Sequence, residues 1–215
     1  MNQVIHFLAA LLLLVAFAML SQRRVLGLVQ LFATQGLLLA VATLLTGWTT
    51  GQTHLYYSAA LTLALKVVVL PLILRRLVRR LEMAGGVEPV LNIPATMLVG
   101  VVLVIVSFNV ALPISAFAGT VTRGTLGIAT ACVLLAFLMM ITRRTALAQV
   151  VGFLSMENGL FFAATSVTYG MPMVVELGIA LDVLVGTFVF GVFFFRIRET
   201  FDTLDIGRIE RREER

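Results

Sequence analysis

The chain contains seven long apolar runs, and this feature limits the folds that it can adopt. Most of the runs approach the ~20 residues that an α-helix needs to cross the hydrocarbon core of a bilayer. They are too long for strands and lack the period-two alternation of a half-buried sheet, so helices are predicted. The predicted spans are residues 4–20, 25–45, 56–74, 93–114, 126–141, 146–167 and 173–195.

The composition indicates an integral membrane protein. Of the 215 residues, 60% are hydrophobic and 13% are charged, whereas soluble domains have roughly 45–50% and about 25%. The net charge of +5 comes from arginines at the ends of apolar runs, so it indicates membrane orientation and no nucleic-acid partner. The single cysteine, Cys132, and the two histidines show no metal-ligand spacing, so we expect no metal or other cofactor on this chain.

The arginines also predict the orientation. With seven spans, fourteen of the sixteen basic residues fall on one side of the membrane, while Arg123 lies opposite and Lys66 lies within a span. The positive-inside rule then places the N-terminus outside the cell and the C-terminal tail in the cytoplasm.

The first three spans resemble the last three, which predicts two parallel three-helix repeats joined by one helix. Residues 34–37 (Thr-Gln-Gly-Leu) match 157–160 (Glu-Asn-Gly-Leu), and 64–67 (Ala-Leu-Lys-Val) match 180–183 (Ala-Leu-Asp-Val). The predicted regions are a first repeat at 1–80, a linker and fourth helix at 81–123, a second repeat at 124–196, and a charged cytoplasmic tail at 197–215.

Four ionisable side chains fall within the predicted spans: Lys66, Glu157, Glu176 and Asp182. A charge at the bilayer centre costs roughly 2.5–3.5 kcal/mol on insertion scales, and such residues are retained where they pair, face water or carry protons. Three acids for one lysine favour a proton pathway over a single static pair. The repeat places Lys66 and Asp182 at equivalent positions, which makes a Lys66–Asp182 pair a hypothesis.

These segments resemble a known family, component E of hydrogenase-4. The resemblance rests on residues 152–159 (Gly-Phe-Leu-Ser-Met-Glu-Asn-Gly), 175–182 (Val-Glu-Leu-Gly-Ile-Ala-Leu-Asp) and 203–206 (Thr-Leu-Asp-Ile). The family comprises membrane subunits of formate-hydrogenlyase-type, complex I-related nickel–iron hydrogenases. The resemblance implies a multi-pass subunit in a bacterial or archaeal cytoplasmic membrane, with antiporter-like membrane partners and hydrogenase-type cytoplasmic partners. Nickel–iron and iron–sulfur centres are then expected on those partner subunits.

The last three spans also resemble the three-helix subunit K (or 4L) of complex I. That family has one carboxylate in its second helix and another in its third. Asp182 falls on the third-helix position, whereas the second-helix position falls on Leu154, with Glu157 three residues later. Three residues keep nearly the same helix face, so the resemblance implies that Glu157 takes this role one turn away.

The primary interpretation is an accessory, non-catalytic subunit of a complex I-like hydrogenase or oxidoreductase. Lys66, Glu157 and Asp182 would belong to a midplane proton pathway, with Glu176 near its outer entrance. A purely structural subunit that bridges or anchors antiporter-like partners is the main alternative. A subunit of a cation/proton antiporter and a stand-alone small-molecule transporter also remain open.

Overall fold

A computed structural model describes residues 2–80, 92–117 and 123–168, together with Gly186. The described chain is helical, and six of its helical stretches are long and apolar enough to cross a membrane. They correspond to the first six predicted spans. The seventh predicted span, at 173–195, lies outside the described residues, as do Glu176, Asp182 and the charged tail.

The helices are α1 (Asn2–Ser21), α2 (Val25–Thr50), α3 (Thr53–Thr62), a π-helical segment (Leu63–Val69), α4 (Leu70–Arg80), α5 (Ile93–Phe117), α6 (Arg123–Thr142) and α7 (Ala146–Thr168). The third predicted span is therefore one continuous stretch made of α3, the π segment and α4. Its helix continues past the predicted end at residue 74 and includes Arg75, Arg76 and Arg79, which lie beyond the apolar run.

Short turns join several neighbouring helices. α2 runs on to Thr50, past the predicted end at residue 45, and stops at Gly51, whose φ of 69° is the left-handed conformation that favours glycine at a helix C-terminus. α3 then begins only two residues later. The turn between α1 and α2 is held by Gln22, whose side-chain oxygen accepts hydrogen bonds from the backbone N–H groups of Arg23 and Arg24 at 3.0 and 3.2 Å.

Four helices form the centre of the described bundle: α1 contacts α2 and α6, and α7 contacts the same two helices. The α3–π–α4 stretch packs on α2, and α5 packs on α6 and α1. The two parallel repeats stay a prediction, because the segment predicted as the last helix of the second repeat lies outside the residues described.

Contacts at both ends of α1 show that α1 and α6 run in parallel. The guanidinium of Arg143, just after α6, donates a 2.5 Å hydrogen bond to the carbonyl of Leu20 at the end of α1. At the other end, His6 lies beside Gly124. We call the end that carries Arg23, Arg24, Arg143 and Arg144 the Arg-rich end, and the opposite end, where Gly51 joins α2 to α3, the turn end.

The distribution of polar groups is that of a protein in lipid. Large apolar side chains cover the outside, whereas polar side chains such as Gln35, Lys66 and Glu157 are buried between helices. At the turn end, Trp48 and Tyr57 are 67% and 79% exposed, which is typical of the aromatic belt at a membrane interface. These features agree with the multi-pass membrane protein that the composition predicts.

Candidate functional site

Lys66 lies at the centre of the π segment, close against α2. A side-chain carbon built at Gly36 of α2 would lie 3.0 Å from Cβ of Lys66 and 3.5 Å from its backbone. Gly36 therefore allows the backbones of α2 and the π segment to approach closely. Lys66 lies 13 residues after the start of α3, about 20 Å along the helix axis at 1.5 Å per residue, which is deep within the span.

The π segment has a local cause in the sequence. The backbone N–H of Leu70 donates to the carbonyl of Leu65, five residues earlier, instead of the usual four. Pro71 follows, and it has no N–H to donate while its ring collides with the preceding turn of a regular α-helix. The wider π register accommodates this proline. Single π turns within α-helices occur frequently at functional sites.

Lys66 and Glu157 form a buried ion pair. The Nζ atom of Lys66 donates a 2.8 Å hydrogen bond to Oε1 of Glu157, and the two side chains are only 1% and 2% exposed. The ammonium group also lies 5.8 Å from the centre of the Phe161 ring, within the range of a cation–π interaction. Lys66 thus reaches from a segment packed on α2 to α7, across 91 residues of sequence.

A pair of buried amides from the same helices adds to the polar site. Nδ2 of Asn158, the neighbour of Glu157 on α7, donates a 3.3 Å hydrogen bond to Oε1 of Gln35 on α2. This hydrogen bond shows that α2 and α7 meet at the same depth, and Gln35 and Asn158 occupy matching positions in the predicted repeat. Nε2 of Gln35 and Oδ1 of Asn158 have no hydrogen-bond partner within the part of the chain that the structure describes.

Two of the four predicted site residues, Lys66 and Glu157, are thus brought together. The other two, Glu176 and Asp182, lie outside the described residues, so the Lys66–Asp182 pair stays a prediction. The sequence alone predicts no role for Gln35, Asn158 or Phe161. The signal for the two amides was their polarity within apolar runs, and Phe161 follows Glu157 by four residues, one helical turn.

This site combines a proton donor and a proton acceptor in direct contact. A lysine ammonium carries three N–H donors, and an ionised glutamate accepts through two oxygens. A proton that moves from Nζ to Oε1 converts the ion pair into a neutral amine and a neutral carboxylic acid. Among the residues described, no three His, Cys, Asp or Glu side chains come together as a metal site.

Sequence comparison identifies relatives along most of the chain. Hydrogenase-4 component E of Escherichia coli is 30% identical over 183 residues, which cover 85% of this chain and 79% of that protein. The chain belongs to the hydrogenase-4 component E family. An uncharacterized protein of Mycobacterium tuberculosis is 34% identical over 207 residues, covering 95% of this chain and 94% of that protein. No family model and no solved structure matches the chain.

Membership of this family agrees with the resemblance seen in the sequence. The aligned length also agrees with a polytopic membrane protein, because the matches extend over several of the observed spans. The likeness to complex I subunit K is a separate expectation and stays a prediction.

Proposed function

We propose that this chain is a membrane subunit of a hydrogenase-type complex related to complex I, and that it takes part in moving protons across the membrane. The relationship to hydrogenase-4 component E supports the first part. The buried Lys66–Glu157 pair supports the second part, because it places a proton donor 2.8 Å from a proton acceptor inside the bundle. Asp182 and Glu176 would extend the pathway, and redox centres would belong to partner subunits.

The energetics of the site support a function beyond packing. Buried ion pairs are weak stabilisers, because the cost of removing both charges from water offsets most of their attraction. Two apolar side chains of similar volume often stabilise a protein as well or better. Intramembrane charges are therefore functional candidates by default.

The pair can take up and release protons in a cycle. Protonation of Glu157 from a neighbouring group would release Lys66 from its charged partner, and loss of that proton would restore the ion pair. A redox-driven change in a partner subunit would bias this equilibrium by altering the electrostatic field at the pair. Coupling of this kind requires only that the two states of the pair differ in their interaction with that partner.

A structural role is the second candidate, and the same contact favours it. The ion pair links the π segment to α7, two segments that are far apart in the sequence. In this case the pair would fix the packing of the bundle and would not change its protonation during turnover.

Neutralising the carboxylates distinguishes the two roles. In membrane vesicles that carry the assembled complex, Glu157→Gln and Asp182→Asn should each lower redox-driven proton movement while hydrogenase activity with an artificial acceptor is unchanged. The matched control is Glu199→Gln, the same change in the charged tail, which should leave both activities at the wild-type level. Full proton movement in a correctly assembled Glu157→Gln complex would contradict the proposed role of the pair.

A further inference from the structure

We infer that the Lys66–Glu157 pair exchanges water and protons with the turn end of the bundle. The path is a row of buried hydroxyl groups, which we call the lane: Ser58, Thr62, Thr43 and Thr165. Toward the Arg-rich end, the pair has no such path within this chain. This inference deepens the proposed function and rests on it. The buried side chains differ between the two sides of the pair along the three helical stretches around it.

On the turn side, the stretch that carries Lys66 has buried hydroxyls one and two helical turns before the lysine. Thr62 lies four residues before Lys66 and Ser58 lies eight before it, and both side chains are buried. At 1.5 Å per residue, Ser58 lies about 12 Å from Lys66 along the axis. Successive groups are thus about 6 Å apart, a spacing that one bridging water fills.

The facing helices add hydroxyls on the same side of the pair. Thr43 on α2 is buried seven residues beyond Gly36, on the face that packs against the π segment. Thr165 on α7 is buried seven residues beyond Asn158, on the same face of its helix. Both hydroxyls donate to carbonyls of their own helices, at 2.9 and 3.0 Å, and their oxygens remain able to accept a hydrogen bond from water.

Three buried polar atoms mark where water fits. Oγ of Ser58, Nε2 of Gln35 and Oδ1 of Asn158 are buried, and none has a hydrogen-bond partner in the described ranges. Oγ1 of Thr145 is in the same state, but it lies before the start of α7 at the Arg-rich end, away from the pair. Buried polar groups in native proteins are normally paired with protein or with ordered water. Water at these positions would satisfy all three and would continue the lane from Ser58 to the ion pair.

On the opposite side, the buried side chains of the same three stretches are apolar apart from Ser155. The buried residues that lead from the pair toward the Arg-rich end include Leu70 and Leu74 of α4, Phe32 and Leu28 of α2, and Leu154 and Val151 of α7. Ser155 is a buried hydroxyl within one turn of the pair, and Val151 and Ala148 follow it on α7. Apolar side chains packed at the density of a protein interior leave no room for a continuous chain of water.

Accessibility of introduced cysteines tests the lane directly. In a Cys132→Ala background, Ser58→Cys and Thr62→Cys sample the lane, and Leu74→Cys samples the apolar side. Assembled complexes in sealed vesicles of either orientation are exposed briefly to Ag⁺, a small ion that reacts with hydrated thiolates. The cysteines that have not reacted are then counted by maleimide labelling after unfolding in SDS.

Two exposed positions calibrate the two faces of the membrane. Gln52→Cys marks the turn end and Arg144→Cys marks the Arg-rich end, because both wild-type side chains are exposed. Ser58→Cys and Thr62→Cys should react from the face that Gln52→Cys marks, about tenfold or more faster than Leu74→Cys reacts from either face, since only a hydrated thiolate is reactive.

The inference would be overturned if Leu74→Cys reacted as fast as Ser58→Cys and Thr62→Cys. It would also be overturned if neither Ser58→Cys nor Thr62→Cys reacted from either face. If Thr62→Cys does not assemble, Ser58→Cys carries the same expectation one turn closer to the surface. The result is independent of coupling. If the lane cysteines react but the Glu157→Gln complex moves protons normally, only the proposed function is refuted. If the lane cysteines do not react but Glu157→Gln impairs proton movement, only the lane is refuted.

Discussion

Removal of one or both partners of the buried ion pair should change stability in a strongly non-additive way. The single variants are Lys66→Met and Glu157→Leu, and the double variant combines them. Each single change leaves a charged group in a site where the partner side chains are 1% and 2% exposed. The double change leaves two apolar side chains of similar size in the same space.

The structure sets the size of this effect. At the 2.8 Å separation of Nζ and Oε1, two unit charges attract by about 6 kcal/mol at an effective dielectric constant of about 20. Transfer of each ion from water costs several kcal/mol, so the intact pair contributes little net stability. Loss of one partner should therefore lower the free energy of unfolding by about 3–5 kcal/mol, and loss of both by less than about 2 kcal/mol.

The assay is unfolding of the purified chain in mixed micelles by titration with SDS, together with the yield of assembled complex. A second double variant, Lys66→Met with Asp182→Leu, is the matched comparison, because the repeat predicts that pair. The structure predicts the larger rescue with Glu157→Leu. Losses that simply add in the Lys66→Met/Glu157→Leu chain would refute the reasoning, and a larger rescue with Asp182→Leu would make the predicted Lys66–Asp182 pair the stronger one.

Three further predictions follow from close contacts and burial in the bundle. Gly36→Ala should lower the free energy of unfolding by about 1–3 kcal/mol, because the new methyl group would lie 3.0 Å from Cβ of Lys66. The control is Gly124→Ala, whose methyl group would lie 3.7 Å from the nearest atom. This control should unfold like the wild type in the same assay. Arg143→Met should lower the free energy of unfolding by about 1.5–3 kcal/mol, because the charged hydrogen bond to the Leu20 carbonyl is lost. Arg144 is exposed, so Arg144→Met should unfold like the wild type. Equal losses in the two variants would contradict a stabilising role for the Arg143–Leu20 hydrogen bond. Cys132 is buried, so it should resist N-ethylmaleimide in folded membranes and react fully in SDS, and rapid labelling before unfolding would contradict the packing around it.

Much of the fold could be predicted from the sequence, because apolar runs near membrane thickness have few alternatives to helices. The ends of the helices were less predictable. Thr46 to Thr50 look turn-prone, yet in an apolar setting they remain helical until Gly51 allows a left-handed residue. The π segment was missed as well, although Pro71 placed five residues after Lys66 is a sequence signal for an irregular turn.

The site was predicted as a set of residues but not as a set of contacts. Lys66 and Glu157 were selected because charges in lipid are costly, which is a property of each residue alone. Their contact spans 91 residues and depends on how α2 and α7 pack, which no single helix determines. The hydrogen bond between Gln35 and Asn158 likewise depends on helix packing. Only the packed bundle shows that one polar atom of each side chain lacks a partner in the described segments.

Proton movement in the rescued double variant tests the central claim most directly. In the Lys66→Met/Glu157→Leu complex, packing is restored while both exchangeable groups are absent. This complex should assemble and keep its activity with an artificial acceptor, yet it should move far fewer protons per electron than the wild type in sealed vesicles. A wild-type proton-to-electron ratio in that complex would show that the pair only holds the helices together, and it would contradict the proposed role in proton movement.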